Sequence, residues 1–363
     1  MTSDIETLAS AGDPRAQIEL AARLDGDGRH AEAVDWLARA GNAGDAEALA
    51  LLGLRLLTGR NAPFLPADGA RLLSDAAAAG NAAAAGHLAV LLGGGFYVKQ
   101  NWPAALDSLQ RSAELGSAAA QAQLRILAED DTATPPDQFL WARLRRAVDL
   151  TAWMTAPAAR TILESPLVQT ASALVPPRAC AWVIEQSKER LVRAELYDPA
   201  TGKPVLSEQT RLNRIANFSL ADTNLLNLLI QARIGAAIGS PFNQLEAFAV
   251  LHYAPGEEYG EHVDYLDPAK PAYAAEIARM GQRVATCLVY LNDGYEGGET
   301  DFPLLGIRHK GQAGDALVFV SADAAGAPDT RTVHAGRAPT SGEKWLLSQF
   351  IRNRPIIGVA TPR

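Results

Sequence analysis

The run YGEHVDYLD at residues 259–267 decides how the chain is read, because it sets a histidine two residues before an aspartate inside a strand-like stretch. In an extended strand successive side chains alternate between faces, so His262 and Asp264 point one way and Val263 the other. A histidine and a carboxylate on one face supply two ligands of a facial triad. The 2-His-1-carboxylate set suits iron(II) and leaves positions open for oxygen and a co-substrate. A second histidine must then arrive from elsewhere. The chain has six: His30, His87, His252, His262, His309 and His334. His30 and His87 fall among helical repeats, His252 lies just before the turn APGEE, and His309 sits in the charged turn RHKGQ. His334, in DTRTVHAGRAP, follows a strand and precedes an expected hairpin, which makes it the candidate third ligand.

Composition frames this reading. A chain of 363 residues exceeds the size at which one core keeps growing, so two domains are expected. A net charge of -8 and a pI near 5.4 argue against a nucleic-acid backbone or an anionic membrane as the main partner. The start MTSDIETLASAGD lacks a basic segment followed by an apolar block, and no apolar run is long enough to span a bilayer. The expectation is a cytoplasmic protein. Two cysteines, Cys180 and Cys287, exclude a disulfide scaffold and a four-cysteine zinc site, and are expected as reduced core thiols.

The N-terminal third repeats itself. AGDPRA (11–16), AGDAEA (43–48), AGNAAA (79–84) and LGSAAA (115–120) each set a glycine four residues before an alanine, and Gly12, Gly44, Gly80 and Gly116 recur at spacings of 32, 36 and 36. Between them, stretches such as AEALALLGLRLL carry apolar residues three and four apart, the pattern of paired amphipathic helices. Each glycine fits a left-handed helix end. This resembles tetratricopeptide-like repeats of the Sel type, which implies a solenoid that binds a protein or peptide, or a docking scaffold without a ligand.

Acidic residues, threonine and a proline pair in AEDDTATPPDQ mark a linker, and FLWARLRRAVDLTAWM reads as one bridging helix. The expected division is repeats over 1–130, linker and bridging helix over 131–160, and a third region over 161–363. There FAVLHYA, RVATCLVYLN, DALVFVS and KWLLSQFI read as strands, and RACAWVIEQSKERL and NLLNLLIQARIGAAIG as flanking helices. Short strands with helices to one side suit a double-stranded β-helix, or jelly roll, so the fold class is multidomain, an α-helical solenoid plus a β core. Ten residues after His334 stands Lys344. A hairpin joining their two strands would bring the ammonium into the same barrel, where a buried lysine calls for a carboxylate partner.

The ordered segments YAPGEEYGEHVDYLD, GQRVATCLVYLNDGYEGGETDFP, GQAGDALVFV and TVHAGRAPTSGEKWLLSQFI resemble the core of the prolyl-4-hydroxylase group of iron(II)- and 2-oxoglutarate-dependent dioxygenases. The resemblance implies that His262, Asp264 and His334 hold iron(II). It implies that Lys344 binds the distal carboxylate of 2-oxoglutarate, that the Tyr253 hydroxyl joins it, and that Thr286 adds to the same site. Which face of the Thr286 strand points inward stays open in the sequence. The reaction implied is hydroxylation of a prolyl residue in a protein or peptide by dioxygen, giving succinate and carbon dioxide, with ascorbate as a reductant. Asp264 favours hydroxylation over halogenation, since halogenating relatives carry a small residue there.

YEGGETDFP (295–303) reads as a turn leading into a strand and not as a binding site: Gly297 and Gly298 permit positive φ there, and Glu299 needs no chemical role. Segments 194–214 and 266–283 carry the turn formers and charges of loops over a barrel mouth. The substrate stays open between prolyl, another residue and a free amino acid. A non-enzymatic repeat adaptor is the competing class, and a nucleic-acid substrate is disfavoured by the acidic balance.

Overall fold

The computed structural model describes residues 2–132, 135, 137–197, 204–205 and 210–356. These fall into two compact units: one runs through residue 150 and includes 219–228, and the other holds 151–218 and continues from 229.

The first unit is built of antiparallel helices, each packed on its neighbours in sequence. They are α1 (Thr2–Ser10), α2 (Pro14–Gly26), α3 (His30–Asn42), α4 (Ala46–Thr58), α5 (Pro66–Ala78), α6 (Ala82–Gly94), α7 (Trp102–Glu114), α8 (Ala118–Leu127) and α9 (Leu140–Ala147). Gly12, Gly44, Gly80 and Gly116 each sit in the turn between two helices, with φ of +94, +89, +93 and +96°. The next residue, Asp13, Asp45, Asn81 or Ser117, caps the following helix by accepting the N–H of Ala16, Ala48, Ala84 or Ala120. Each of those alanines is buried. The repeated glycine and alanine are therefore one device. Glycine turns the chain, the residue between them satisfies an orphan N–H, and a methyl-sized side chain lets the next helix approach.

Helices α4 and α5 approach closely through glycine. A Cβ on Gly69 would stand 2.5 Å from Leu57 N and 2.6 Å from Gly53 O, both backbone atoms. Gly69→Ala is expected to cost about 1–3 kcal/mol by forcing these helices apart. Gly26→Ala, where a Cβ meets nothing within 4 Å, should hold or raise stability. Thermal melts of the two variants check the contrast, and equal midpoints would refute it.

The stretch expected as one bridging helix is two, α9 and α10 (Leu150–Met154). The chain is extended at Val148, φ -65° and ψ 116°, which breaks the hydrogen-bond ladder between them.

In the second unit the strands are β1 (Arg160–Glu164), β2 (Leu167–Ala171), β3 (Val192–Arg193), β4 (Leu196–Tyr197), β5 (Pro204–Val205), β6 (Arg214–Asn217), β7 (Ala249–Tyr253) and β8 (Tyr259–His262). They continue as β9 (Arg283–Tyr290), β10 (Glu296–Gly297), β11 (Thr300–Phe302), β12 (Ile307–His309), β13 (Ala316–Val320), β14 (His334–Gly336), β15 (Pro339–Ser341) and β16 (Lys344–Arg352). The helices are α11 (Pro177–Lys188), α12 (Leu225–Ile238), which starts in the first unit's segment, and α13 (Pro271–Met280).

An eight-stranded sheet runs β1-β2-β13-β9-β16-β7-β6-β3 and a four-stranded sheet runs β12-β11-β14-β8. Alternate residues of the larger sheet, Val168, Leu251, Tyr253, Leu288, Tyr290, Leu317, Phe319 and Leu346, share one core with Phe302 of the smaller. The two sheets thus enclose a common interior, and the period-2 pattern of β7, β9, β13 and β16 decides which side chains enter it.

Three sequence expectations change. His334 and Lys344 do not lie on the two arms of one hairpin: β14 pairs with β8 and β11, and β16 with β7 and β9, so they belong to different sheets. The chain crosses between them through β15, which pairs with β10, and turns at Gly342 with φ +71°. Segment 266–283 is no simple loop, because Pro271 starts helix α13 and Gly281, at φ +86°, follows its end. Segment 194–214 holds the short β4–β5 pair, and the rest of its tip lies outside the described residues.

Candidate active site

His262 ends β8 and His334 opens β14, and the two are direct partners across the pair. Asp264, two residues past His262, comes round to both. The ligand atoms of His262, Asp264 and His334 all lie within 4.8 Å of one another, the one such cluster among the described residues.

Hydrogen bonding fixes the histidine tautomers. His262 Nδ1 is 2.8 Å from the Gly260 carbonyl and His334 Nδ1 is 3.0 Å from the Thr332 carbonyl. A carbonyl only accepts, so each Nδ1 carries a proton, and in the neutral ring each Nε2 then presents a bare lone pair. Those lone pairs face Asp264, with His262 Nε2 3.6 Å from Oδ1 and His334 Nε2 3.6 Å from Oδ2. Both separations are too long for hydrogen bonds. Burial, with His334 alongside, pushes His262 down to about 3, so at neutral pH its contact with Asp264 is no ion pair. Two lone pairs and a carboxylate converging with no proton between them repel unless a cation joins them. Burial would raise the Asp264 carboxyl, but attraction to either histidine when its ring is charged and the Thr286 hydrogen bond outweigh it and hold Asp264 below its ordinary value, ready to ligate.

The surroundings fix the ring planes. Tyr259 stacks on His262 at 3.5 Å between ring centroids and 10° between planes, and the Arg211 guanidinium lies 4.5 Å over Tyr259. Phe302 and Phe319 pack on His334 at 5.3 and 4.8 Å.

Thr286 faces inward with Leu288 and Tyr290, which answers the parity left open by the sequence. Its hydroxyl donates to Asp264 Oδ2 at 2.7 Å. That single proton cannot also serve a co-substrate carboxylate, so the geometry gives Thr286 the orientation of Asp264 in place of the co-substrate role expected for it.

Lys344 opens β16 directly opposite Tyr253 on β7. It is fully buried, its Nζ has no hydrogen-bond partner, and it stands 4.9 Å over the Tyr253 ring. Burial pushes the ammonium down to about 7. An orphaned amine at the bottom of an apolar interior is costly alone and fits an anionic ligand. Two other cations of this region are committed elsewhere. Arg337 pairs with Asp301 at 2.7 Å, and Arg352 bonds Glu246, Glu276 and the Gly281 carbonyl. The Tyr253 hydroxyl lies against Gly336, where a Cβ would come within 3.0 Å of it, so it points toward β14 while its ring carries the lysine. The donor set of His262, Asp264 and His334 therefore fits iron(II), and Lys344 fits the distal carboxylate of 2-oxoglutarate.

Two features lay beyond the sequence reading. His309 belongs to strand β12 and not to a turn, and its Nε2 is buried without a partner. Tyr295, in the turn expected to be inert, is buried with an unpartnered hydroxyl. Its one sequence signal is a large aromatic beside the paired glycines Gly297 and Gly298.

Comparison with known proteins identifies the family. The family model of the 2OG-Fe(II) oxygenase superfamily matches residues 248–352, which span β7 to β16. The chain is similar to prolyl 4-hydroxylase 1 of Arabidopsis thaliana, 32% identical over 52% of this chain and 70% of that one. Among solved structures, it matches a viral collagen prolyl hydroxylase from Paramecium Bursaria Chlorella virus-1 in its 2OG complex, 26% identical over 51% of this chain and 95% of that one, at a TM-score of 0.40. It also matches a Sel1 repeat protein from Oxalobacter formigenes, 30% identical over 34% of this chain and 96% of that one, at a TM-score of 0.32. With a plant relative of this identity covered over more than two thirds of its length, the chain belongs to the prolyl 4-hydroxylase group of the 2OG-Fe(II) oxygenase superfamily, dioxygenases that use iron(II), 2-oxoglutarate and dioxygen.

Proposed function

We propose that this enzyme hydroxylates a prolyl residue of a protein or peptide, with 2-oxoglutarate converted to succinate and carbon dioxide. The observation that carries the chemistry is the pair of bare Nε2 lone pairs converging on Asp264, together with the orphaned ammonium of Lys344 in the same interior. The prolyl substrate rests on the relatives' names. Iron(II), when bound, would supply the activation of dioxygen coupled to decarboxylation of the 2-oxo acid. The protein's own part is positional. Gly260 and Thr332 lock the tautomers, Thr286 turns Asp264, Lys344 seats the distal carboxylate, and the apolar wall of Leu288, Phe302, Phe319 and Leu346 keeps water out. The helical repeats support a protein-sized substrate, and a cytoplasmic setting with ascorbate as reductant belongs to the same proposal.

The test is anaerobic titration with iron(II) and 2-oxoglutarate, followed by proline-containing peptides read by mass spectrometry for gain of one oxygen. A chelate band with no peptide oxidised, while a free amino acid is, would move the substrate and keep the chemistry. No band in the folded protein would favour a repeat-based adaptor.

Lys344 makes a sharper prediction. Lys344→Ala should raise the 2-oxoglutarate requirement far more than the iron requirement, since a charge-assisted contact is lost. A bound carboxylate favours the charged ammonium and lifts its pKa from about 7 toward the ordinary range. At about pH 6 the amine is already charged, whereas at about pH 8 binding must draw in a proton. Calorimetry in two buffers of different ionisation heat should therefore show uptake approaching one proton near pH ~8 and little near pH ~6. Uptake that does not change with pH would remove Lys344 from the co-substrate site.

A further inference from the structure

We infer that Tyr295 is a second donor to the distal carboxylate of 2-oxoglutarate, working beside Lys344; this rests on the oxygenase reading given above. Tyr295 lies in DGYEGGE, between β9 and β11, is 3% exposed, and its hydroxyl is buried with no hydrogen-bond partner. Buried phenols normally find one, so this hydroxyl needs an explanation.

The backbone and the neighbours place Tyr295 beside the lysine. Gly298, at φ +70°, lies between the two side chains: a Cβ there would stand 2.8 Å from Tyr295 Cε2 and 3.4 Å from Lys344 Cδ. Only a glycine lets the ring and the lysine stem pass so close. Tyr253 and Tyr290 are common to both residues. The lysine Nζ is 4.9 and 6.0 Å from their ring centroids, and a charge on Tyr295 would be felt at Tyr290 as one on Tyr253 would be felt at Tyr295. Glu299 acts on both as well.

The ring is also held in place. Lys310 stands 4.4 Å over it and its Nζ donates to the Tyr295 carbonyl. Burial, with Asp293 and Glu299 nearby, pushes the phenol up, so it stays protonated and can donate. Two unpartnered donors, Lys344 Nζ and Tyr295 Oη, thus sit on side chains that flank Gly298, and a carboxylate has an oxygen for each. A lysine alone fixes a charge, whereas a lysine and a rigid phenol fix the plane and depth of the carboxylate, which selects the length of the dicarboxylic acid.

The experiment compares wild type, Tyr295→Phe and Lys344→Ala, each loaded with manganese(II) as a redox-inactive metal and titrated with 2-oxoglutarate by calorimetry, with melts of the ligand-free proteins alongside. Tyr295→Phe should weaken 2-oxoglutarate binding on the order of tenfold or more, as for a lost hydrogen bond to a charged group. Its ligand-free melt should be unchanged or higher, because the substitution removes a buried hydroxyl that had no partner. A Tyr295→Phe protein that binds as tightly as wild type overturns the inference. So does one whose affinity and ligand-free melt fall together, because that marks a packing role. Failure of wild type itself to bind would sink the oxygenase reading instead, so the two failures are distinguishable.

Discussion

Asp264→Ala protein is expected to lose iron(II) binding and with it all coupled hydroxylation, while remaining folded. The carboxylate is the one anion of the triad, and each of its oxygens faces a bare histidine nitrogen at 3.6 Å. Removing it leaves two imidazoles 4.2 Å apart between ring centroids and the Thr286 hydroxyl without its acceptor. Even residues that merely orient a metal ligand are worth about 10–100-fold in affinity, so losing the charged ligand should exceed roughly 100-fold. The fold should survive, because the backbone carbonyls of Gly260 and Thr332 still hold the rings and the converging lone pairs no longer face an anion. Equilibrium dialysis of manganese(II) and iron-dependent product formation check both halves. Retained product with an ordinary iron requirement would take Asp264 out of the triad.

What the sequence discloses here is set by how far apart the partners lie along the chain. His262 and Asp264 are legible because strand period alone puts them on one face, and the repeat glycines because turn, cap and alanine occupy five consecutive residues. The identity of Lys344 as an interior cation is legible as a charge inside a strand pattern. Its route is not, since a ten-residue spacing from His334 fits a hairpin as well as it fits a crossing between two sheets. Thr286 shows the same limit. Alternation groups it with Leu288 and Tyr290, yet which group faces inward depends on β13 and β16, whose register with β9 is fixed by residues 30 to 70 positions on. Tyr295 is the extreme case, because its meaning comes from a glycine that lets two side chains pass and from a lysine on another strand.

Arg352→Met is expected to be among the most destabilising single substitutions in the second unit. Arg352 is fully buried at the end of β16, and its guanidinium bonds Glu246 before β7, Glu276 on α13 and the Gly281 carbonyl after α13. Glu246 in turn holds Arg283 at the start of β9, at 2.8 and 3.0 Å. One side chain therefore ties two strands of the larger sheet to the helix that follows Asp264. Methionine fills similar space but leaves Glu246 with Arg283 alone and the Gly281 carbonyl without a donor.

Breaking a buried pair from one side costs about 3–5 kcal/mol, which for a unit of this size is a fall of roughly 6–20 °C in melting temperature. Glu276→Gln, at a side chain that is itself 32% exposed, should cost under about 1 kcal/mol. The acid limb gives an independent reading. Burial pushes the Glu246 carboxyl up, but Arg283 and Arg352 together hold it below its ordinary value. A depressed carboxyl contributes stability that is present above its unfolded value and is lost as pH falls through its folded value. Without Arg352 the folded value rises, so acid unfolding of the variant should begin at a higher pH than that of wild type. A melting temperature within about 2 °C of wild type, with the same acid midpoint, would mean that Arg283 alone balances Glu246 and that Arg352 is not the tie between β16 and α13.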